Sequence, residues 1–283
     1  MSDCIDERIK ISWSQLQAFE LCSHRANLIR QGKKGPATDI RNFFHGTVCD
    51  RVMRAWLSQE SPGLGEMPEM VDDYIIKCLD EAKETGDGVV RWRNSQDRKI
   101  VTLYCKDILS KLEPMLVKLV LPYDYEPEFR FKIPVRIPYL DNKTLVEIYL
   151  TGGIDILVRV SESPLRWWAF DLKATADPDY LRKTLGQAIF YDISILAMSG
   201  VSPQNFAFLQ PGVVSNPLAS IAVSDLDRVS MMSRIVSVAH RRWRNEDVPK
   251  ADSAGCSICP VKSSCRKMRE GLGVFSPVRG KTR

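Results

Sequence analysis

The hydrophobic pattern of the chain changes at Pro122, and this change constrains the fold more than any other feature. Before Pro122, apolar residues recur mostly at the three- and four-residue spacing of amphipathic helices. After it, short segments alternate apolar with polar or basic residues, as half-buried strands do. Helical spacing returns over residues 180–198 and 224–244. The order indicates a sheet inside a helical wrapping.

The pattern predicts an α/β (α+β) fold with a mixed sheet flanked by helices. Besides the two later stretches, helices are predicted over residues 12–22, from about 39 to 56, and over most of 69–120 with a break near 84–88. Strands are predicted at 129–133, 135–137, 145–150, 153–160, 167–173 and 206–209, with 145–150 pairing with 153–160. The boundaries define a helical N-terminal region at 1–121, a core at 122–245 and a Cys-rich tail at 246–283.

Composition restricts the class of protein. Of the 283 residues, 44% are hydrophobic and 27% are charged, which is ordinary for a globular chain and excludes a collagen-like or largely disordered one. No apolar run approaches the roughly 18 residues of a membrane helix, because Lys118 interrupts the best candidate. Acidic residues near the start stand where a signal peptide has basic ones. We therefore expect no membrane association and a cytoplasmic location.

Positive charge is concentrated in two parts of a chain whose net charge is +5. Residues 24–34 carry four Lys or Arg and no acid, and residues 256–283 carry seven against a single acid. Such clusters suit a polyanion such as DNA, although a solvated basic surface explains them about as well. Arg266 and Lys267 in the tail are therefore candidate contacts to DNA phosphates.

A short motif near the end of the predicted strand 167–173 is a candidate for catalysis. Asp171 and Lys173 are two residues apart, so their side chains share one face of the strand, while Phe170 and Leu172 share the other. A carboxylate and an ammonium so placed can bind a divalent ion and orient a water molecule. An ordinary salt bridge explains the pair equally well.

Four other residues bring polar chemistry to this motif. Asp155 is a single acid in an apolar strand, where either a metal ion or a buried hydrogen bond would offset the cost of burying its carboxylate. His45 lies near the start of a predicted helix, where a metal ligand and a core histidine are both compatible with the pattern. Gln187 and Tyr191 lie four residues apart, hence on one helical face, and suit hydrogen bonds to a phosphate or a base edge.

As a set, these residues resemble the motifs of the PD-(D/E)XK phosphodiesterase superfamily, specifically its RecB-like exonuclease branch. The residues that carry the resemblance, in the family's chain order, are His45, Asp155, Asp171, Lys173, Gln187 and Tyr191. The ligands of Mg²⁺ or Mn²⁺ that the resemblance implies are His45, Asp155, Asp171 and the carbonyl of Leu172. It also implies that Lys173 positions the attacking water.

The same resemblance assigns contacts to the DNA strand. By it, Gln187 and Tyr191 would contact DNA rather than hold the metal. Glu128, at the start of the first predicted strand, matches more loosely a carboxylate that the family often keeps there. Asp171 stands where glutamate is commoner, which is within the range of the family.

Four cysteines form a second candidate metal centre. Cys256, Cys259 and Cys265 cluster in the tail, a spacing that suggests a metal site lacking one ligand, and disulfides are not expected in a cytosolic chain. Cys22 ends a Ser-x-Ser-x-Leu-x-x-Phe-x-x-Cys pattern similar to that of RecB-like nucleases with a [4Fe–4S] cluster, which include CRISPR-associated nucleases and AddB subunits. The resemblance implies that Cys22 is the fourth ligand of such a cluster in a tail subdomain. Zinc is the alternative metal, and Ser23 replaces the family's proline.

The activity that the resemblance implies is a metal-dependent DNA exonuclease acting on single strands or DNA ends. Recombination, repair and CRISPR adaptation are the expected settings, with recombination, helicase or CRISPR adaptation proteins as partners besides DNA. One alternative is a non-catalytic DNA-binding recombination scaffold, which the complete set of catalytic residue types disfavours. The other is a structure-specific endonuclease on the same fold.

Overall fold

The computed structural model of the chain describes residues 9–32, 41–85, 90–140, 143–175, 177, 180–248, 259, 261 and 265. The helices are α1 (Trp13–Leu21), α2 (Ser23–Arg30), α3 (Arg41–Leu57), α4 (Glu66–Thr85), α5 (Ser95–Leu119), α6 (Tyr180–Ser199) and α7 (Asp225–Trp243). The strands are β1 (Lys10–Ile11), β2 (Asp124–Pro138), β3 (Leu145–Glu162), β4 (Leu165–Leu172), β5 (Asn205–Leu209) and β6 (Leu218–Ile221). The predicted mixed sheet flanked by helices is confirmed.

The sheet is organised around the long strand β3. One edge of β3 pairs with β2 in antiparallel orientation. The other edge pairs with β1 in parallel near its start and with β4 in antiparallel orientation near its end. The sheet continues through β5, parallel to β4, and β6, antiparallel to β5. Helix α6 connects β4 to β5, as the crossover between parallel strands requires.

The predicted pairing of 145–150 with 153–160 is wrong. Both segments belong to β3, which runs through Gly152 and Gly153 without a turn and pairs with β2 over its length. A Cβ atom at Gly152 would lie 2.7 Å from the ring of Phe131 on β2. The glycine therefore allows a close approach of the two strands, whereas the sequence pattern suggested a hairpin turn.

Two hydrophobic cores cover the two faces of the sheet. The first contains side chains of α1, α6 and α7, such as Phe19, Phe190 and Ile235, packed on β2, β3 and β5. The second contains side chains of α3, α4 and α5, which pack on the opposite face through residues such as Phe170 of β4. The N-terminal helices thus share a core with the sheet, and the three predicted regions, 1–121, 122–245 and 246–283, stay a prediction.

Local sequence signals place several helices. Ser12 forms a capping box with Gln15 at the start of α1, since the Ser12 hydroxyl accepts from the backbone amide of Gln15 and the Gln15 side chain accepts from the backbone amide of Ser12. The chain then starts a separate helix, α2, whose N-cap is Cys22. Cys49, Cys78 and Cys105 lie in the second core.

A buried carboxylate on α5 caps helix α4. Glu113 accepts hydrogen bonds from the backbone amides of Gly65, at 2.6 Å, and Met67, at 3.0 Å, and its side chain is buried. The first amides of a helix lack partners within the helix and carry partial positive charge, so a carboxylate suits them. This contact holds α4 against α5.

Replacing Glu113 with alanine is expected to lower the free energy of unfolding by about 2–4 kcal/mol, because two amides at the start of α4 lose charge-assisted hydrogen bonds to a buried carboxylate. Urea unfolding followed by circular dichroism measures the change. Glu84→Ala, at an exposed position near the end of α4, is the matched control and should shift stability by less than about 0.5 kcal/mol. Equal effects of the two substitutions would contradict the capping role.

Among the helices that the structure describes, none has the length and apolar character needed to cross a membrane.

Candidate active site on three neighbouring strands

Three carboxylates occupy adjacent positions across the sheet. The register pairs Pro127 of β2 and Phe170 of β4 with the same residue, Ile156 of β3. One residue further in the same direction, each strand carries an acid: Glu128 follows Pro127, Asp171 follows Phe170, and Asp155 precedes Ile156 because β3 is antiparallel to the other two strands. Neighbouring strands lie roughly 5 Å apart, so these acids form a row across β2, β3 and β4.

The row coincides with an irregularity of the sheet. Leu150 and Ile154 pack in the first core, but Ile156, which should share their face by simple alternation, packs in the second. At this point Glu128 has a φ of 57°, in the left-handed region that residues other than glycine seldom adopt. Strain of this kind costs on the order of 1–3 kcal/mol and is concentrated at functional sites. The irregularity thus lies at the positions of Glu128 and Asp155.

Asp155 is held by backbone and by charge. Its Oδ2 accepts a hydrogen bond of 2.8 Å from the amide of Leu172, and its Oδ1 lies 3.4 Å from the guanidinium of Arg54. Burial raises the pKa of Asp155 well above its ordinary value, and the charges of Asp171 and Asp50 raise it further. In the absence of a metal ion, the site therefore holds more negative charge than its surroundings stabilise.

Asp171 and Lys173 form one hydrogen-bonded unit with Gln187. The Lys173 ammonium contacts Asp171 Oδ2 in an ion pair and donates to Gln187 Oε1 at 3.0 Å. The Gln187 amide in turn donates to Asp171 Oδ1, at 3.0 Å, and to the hydroxyl of Tyr191, at 3.0 Å. Gln187 therefore bridges the acid and the base of the motif.

Helix α6 brings this glutamine to the strands, and a glycine permits its position. A Cβ atom at Gly186 would lie 2.3 Å from the indole of Trp13 on α1, so the close packing of α6 on α1 needs glycine here. Tyr191 is buried beside Phe131 and Phe206, and burial raises its pKa further above the ordinary value. The structure thus places Tyr191 behind Gln187, and contact of either residue with DNA stays a prediction.

His45 reaches the same end of β4 from α3. Its Nε2 donates to the carbonyl of Ala174, at 2.9 Å, and its ring packs edge-on against Tyr104. Burial lowers the pKa of His45, partly offset by the bond to Ala174, so the neutral imidazole is favoured. The ring lies beside the residue that follows Lys173, but its Nε2 is directed at a carbonyl. The metal-ligand role of His45 stays a prediction.

Two further residues of α3 belong to the site, and the sequence analysis missed both. Arg54 Nε lies 2.8 Å from Asp50 Oδ1, and its other nitrogens contact Glu128 and Asp155. Burial raises the pKa of Asp50, whereas Arg54 lowers it. The four-residue spacing of Asp50 and Arg54 was a visible signal, but it is also that of a routine surface ion pair.

The donor set suits a divalent cation, although the described residues contain no group of three or more His, Cys, Asp or Glu side chains already arranged around a metal position. Asp171 Oδ2 is buried and receives no hydrogen bond of normal geometry. Carboxylate oxygens are the ligands that Mg²⁺ and Mn²⁺ prefer. The site suits a divalent cation because of this oxygen and because its carboxylates outnumber its positively charged side chains. Arg54 and Lys173 currently engage the carboxylates that a metal ion would use.

The raised pKa of Asp155 gives a stability prediction for the metal-free protein. A carboxyl with a raised folded-state pKa favours folding at low pH, and this contribution is lost as pH rises from the ordinary value of 3.8 through the folded value. Asp155→Asn removes the buried charge. In chelator at pH 8, this variant should be more stable than the wild type, and the difference should shrink at pH 4.

Thermal melting at the two pH values measures this effect. Glu126→Gln, at an exposed position two residues before Glu128, is the control and should leave the melting temperature unchanged at both pH values. An Asp155→Asn protein that melts below the wild type at pH 8 would show that Asp155 stabilises the metal-free fold.

The chain after α7 returns to α2, beside the predicted cysteine site. The hydroxyl of Ser23 donates to the carbonyl of Val248 at 3.1 Å, and this carbonyl lies 4.0 Å from Cys22 Sγ. Cys265 packs with Val261 against Leu28 of α2. The partly buried Cys259 joins this small cluster. Cys256, Arg266 and Lys267 lie outside the described residues, so their predicted roles stay predictions.

Comparison with known proteins places this arrangement in a family. No curated protein matches the chain. The model of the PD-(D/E)XK nuclease superfamily matches residues 10–266, a range that includes all six strands and all seven helices described above. The matched range also contains the acids of the three strands and the Lys173–Gln187 pair. The chain belongs to the PD-(D/E)XK nuclease superfamily.

Proposed function

We propose that the protein is a metal-dependent DNA exonuclease that acts on single-stranded DNA or DNA ends in recombination, repair or CRISPR adaptation. The superfamily is one of nucleases that typically use divalent metals such as Mg²⁺. The observation that carries the proposal is the unit of Asp171, Lys173 and Gln187 beside Asp155. It brings the carboxylates of Asp171 and Asp155 together with an ammonium and an amide.

Each side chain of this unit has a distinct role in the proposal. Asp155 and Asp171 would hold the ion, with His45 and the carbonyl of Leu172 as further ligands. When bound, Mg²⁺ or Mn²⁺ supplies positive charge to the phosphate and favours ionisation of water. Lys173 orients the attacking water and stabilises negative charge that develops on the phosphate oxygens.

Gln187 keeps the lysine in place. Its Oε1 accepts from Lys173 while its amide donates to Asp171, so the side chain fixes the distance between acid and base. The hydroxyl of Tyr191 accepts from the same amide and determines which way it points. In the proposal, Gln187 contacts the DNA strand, and Tyr191 acts through Gln187 because its own side chain is buried.

The finer assignment to the RecB-like branch includes a [4Fe–4S] cluster on Cys22, Cys256, Cys259 and Cys265. The path of the chain supports it, because residues 246–248 run along α2 through hydrogen bonds to Ser23 and Asn27. The packing of Cys265 near Leu28 supports it too, since Leu28 lies on the helix that begins next to Cys22.

A digestion assay with labelled DNA tests the activity and its direction. Single- and double-stranded oligonucleotides labelled at the 5′ or the 3′ end are incubated with the protein and Mg²⁺ or Mn²⁺. Closed circular single-stranded DNA serves as a matched substrate without ends. We expect linear DNA to be degraded to mononucleotides or short products. The circles should remain intact.

The other outcomes of this assay separate the alternatives. Cleavage of the circles would show that the protein is an endonuclease on the same fold and not an exonuclease. Retarded migration of DNA without any cleavage, under all metal conditions, would indicate a DNA-binding scaffold and overturn the proposed activity.

A further inference from the structure

Arg54 lies among three carboxylates from three different elements. Its Nε is 2.8 Å from Asp50 on its own helix, one terminal nitrogen contacts Glu128 on β2, and the other is 3.4 Å from Asp155 on β3. The side chain is only 22% exposed. Its guanidinium therefore occupies a partly buried position that oxygen atoms surround, which is the kind of position a hard divalent cation takes.

The charges around this position leave room for a single divalent ion. Among the residues that the structure describes, the partly buried cations of the site are Arg54 and Lys173, and they contact the carboxylates of Asp50, Glu128, Asp155 and Asp171. Arg130 also contacts Glu128, but its side chain is 77% exposed, so water screens its charge. Two negative charges thus remain inside the site, and one divalent ion balances them.

We propose that Arg54 is a built-in cation that fills the position of a second divalent ion, so that the site binds one metal ion rather than two. The proposal rests on the proposed function, since it concerns the number of metal ions that the same site takes. In it, Asp50, Glu128 and the Oδ1 of Asp155 are reserved for Arg54. The single metal ion would then bind to Asp171 and to the other carboxylate oxygen of Asp155.

The identity of the side chain supports this role. A guanidinium is planar, stays charged at any physiological pH and donates in several fixed directions, so one arginine can serve three carboxylates. The neighbouring Arg51 lies on the same helix but pairs with Glu81 at the surface, where its side chain is 47% exposed. The two arginines differ in what surrounds them, and Arg51 therefore provides a matched control.

Titration of the full-length protein with Mn²⁺, followed by the electron paramagnetic resonance signal of free Mn²⁺, tests the proposal. The wild type is expected to bind one Mn²⁺ at the site. Arg54→Gln, which removes the charge, is expected to bind two, and the two neighbouring ions should show a spin-coupled signal. Its first ion should bind roughly tenfold more tightly, because a positive charge a few ångströms away is lost.

Two further variants complete the design. Arg54→Lys keeps a positive charge and should retain one bound ion, which separates the charge from the packing of the side chain. Arg51→Gln should behave as the wild type. The proposal is overturned if Arg54→Gln still binds one ion with unchanged affinity, or if it loses metal binding altogether. Two ions in the wild type would overturn it without any variant, so the test does not depend on the folding of Arg54→Gln.

The outcome is separable from that of the proposed function. A wild type that neither binds Mn²⁺ nor cleaves DNA would contradict the nuclease proposal. A wild type that binds one ion and cleaves DNA, combined with an Arg54→Gln protein that gains no ion, would contradict the role of Arg54 alone.

Discussion

Replacing Lys173 with methionine is expected to lower the rate of DNA cleavage by roughly 10²–10³-fold, the usual cost of removing one positioned group that stabilises charge in the transition state. Methionine keeps the length of the side chain but removes the donor to Gln187 and the charge beside Asp171. Single-turnover digestion of end-labelled single-stranded DNA measures the rate of the chemical step. Affinity for DNA should change little, whereas Mn²⁺ should bind more tightly because the positive charge beside Asp171 is lost.

Lys132→Met is the matched control for this prediction. Lys132 lies on β2 with its ammonium over the ring of Tyr149, at 4.5 Å, and outside the acidic site. We expect this variant to cleave at the wild-type rate. If Lys173→Met retained cleavage within about threefold of the wild type, Lys173 would be a partner in an ordinary salt bridge and not a catalytic residue.

Replacing Cys22 with alanine is expected to have the largest effect on stability. If Cys22 and the tail cysteines share one metal centre, the centre closes nearly the whole chain into a loop. By the chain-entropy argument, such a cross-link contributes about 5 kcal/mol, an upper figure because the unfolded chain retains structure. This is comparable with the whole stability of many domains. Thermal melting and visible absorbance of protein purified without air measure the loss.

The control for Cys22 is a buried cysteine of the second core. Cys78→Ala removes a thiol of α4 whose pKa burial raises to about 11, as expected for a packed thiol rather than a ligand. It should keep the visible absorbance and lose only on the order of 1 kcal/mol of stability. Unchanged absorbance and melting temperature in Cys22→Ala would show that the fourth ligand is another residue. Metal analysis that finds zinc in place of iron and sulfide would contradict the iron–sulfur cluster.

Several parts of the fold could be predicted because they depend on local sequence. The starts of α1 and α7 and the helix that carries Gln187 follow from residues within one or two turns. The shared face of Asp171 and Lys173 follows from strand alternation alone. These predictions needed no knowledge of which elements lie together.

The remaining parts of the site depend on long-range contacts and on irregular backbone. Arg54 reaches Asp155 across about a hundred residues of sequence, and nothing within α3 distinguishes it from a surface arginine. At Glu128, where the backbone is left-handed, the alternation of side chains between the two faces of the sheet is interrupted. A regular alternating pattern therefore assigns side chains beyond this point to the wrong face. Tyr191 shares a helical face with Gln187, but only the packing shows that it is buried.

In the proposed mechanism, Asp155 and Asp171 hold a divalent ion on which cleavage depends. The most direct test measures Mn²⁺ binding and cleavage of single-stranded DNA in the same samples, for the wild type and for the double variant Asp155→Asn, Asp171→Asn. We expect cleavage by the wild type to rise over the Mn²⁺ concentrations at which the ion binds. The double variant should neither bind Mn²⁺ nor cleave DNA. Cleavage by the wild type in excess chelator, or full Mn²⁺ binding by the double variant, would contradict it.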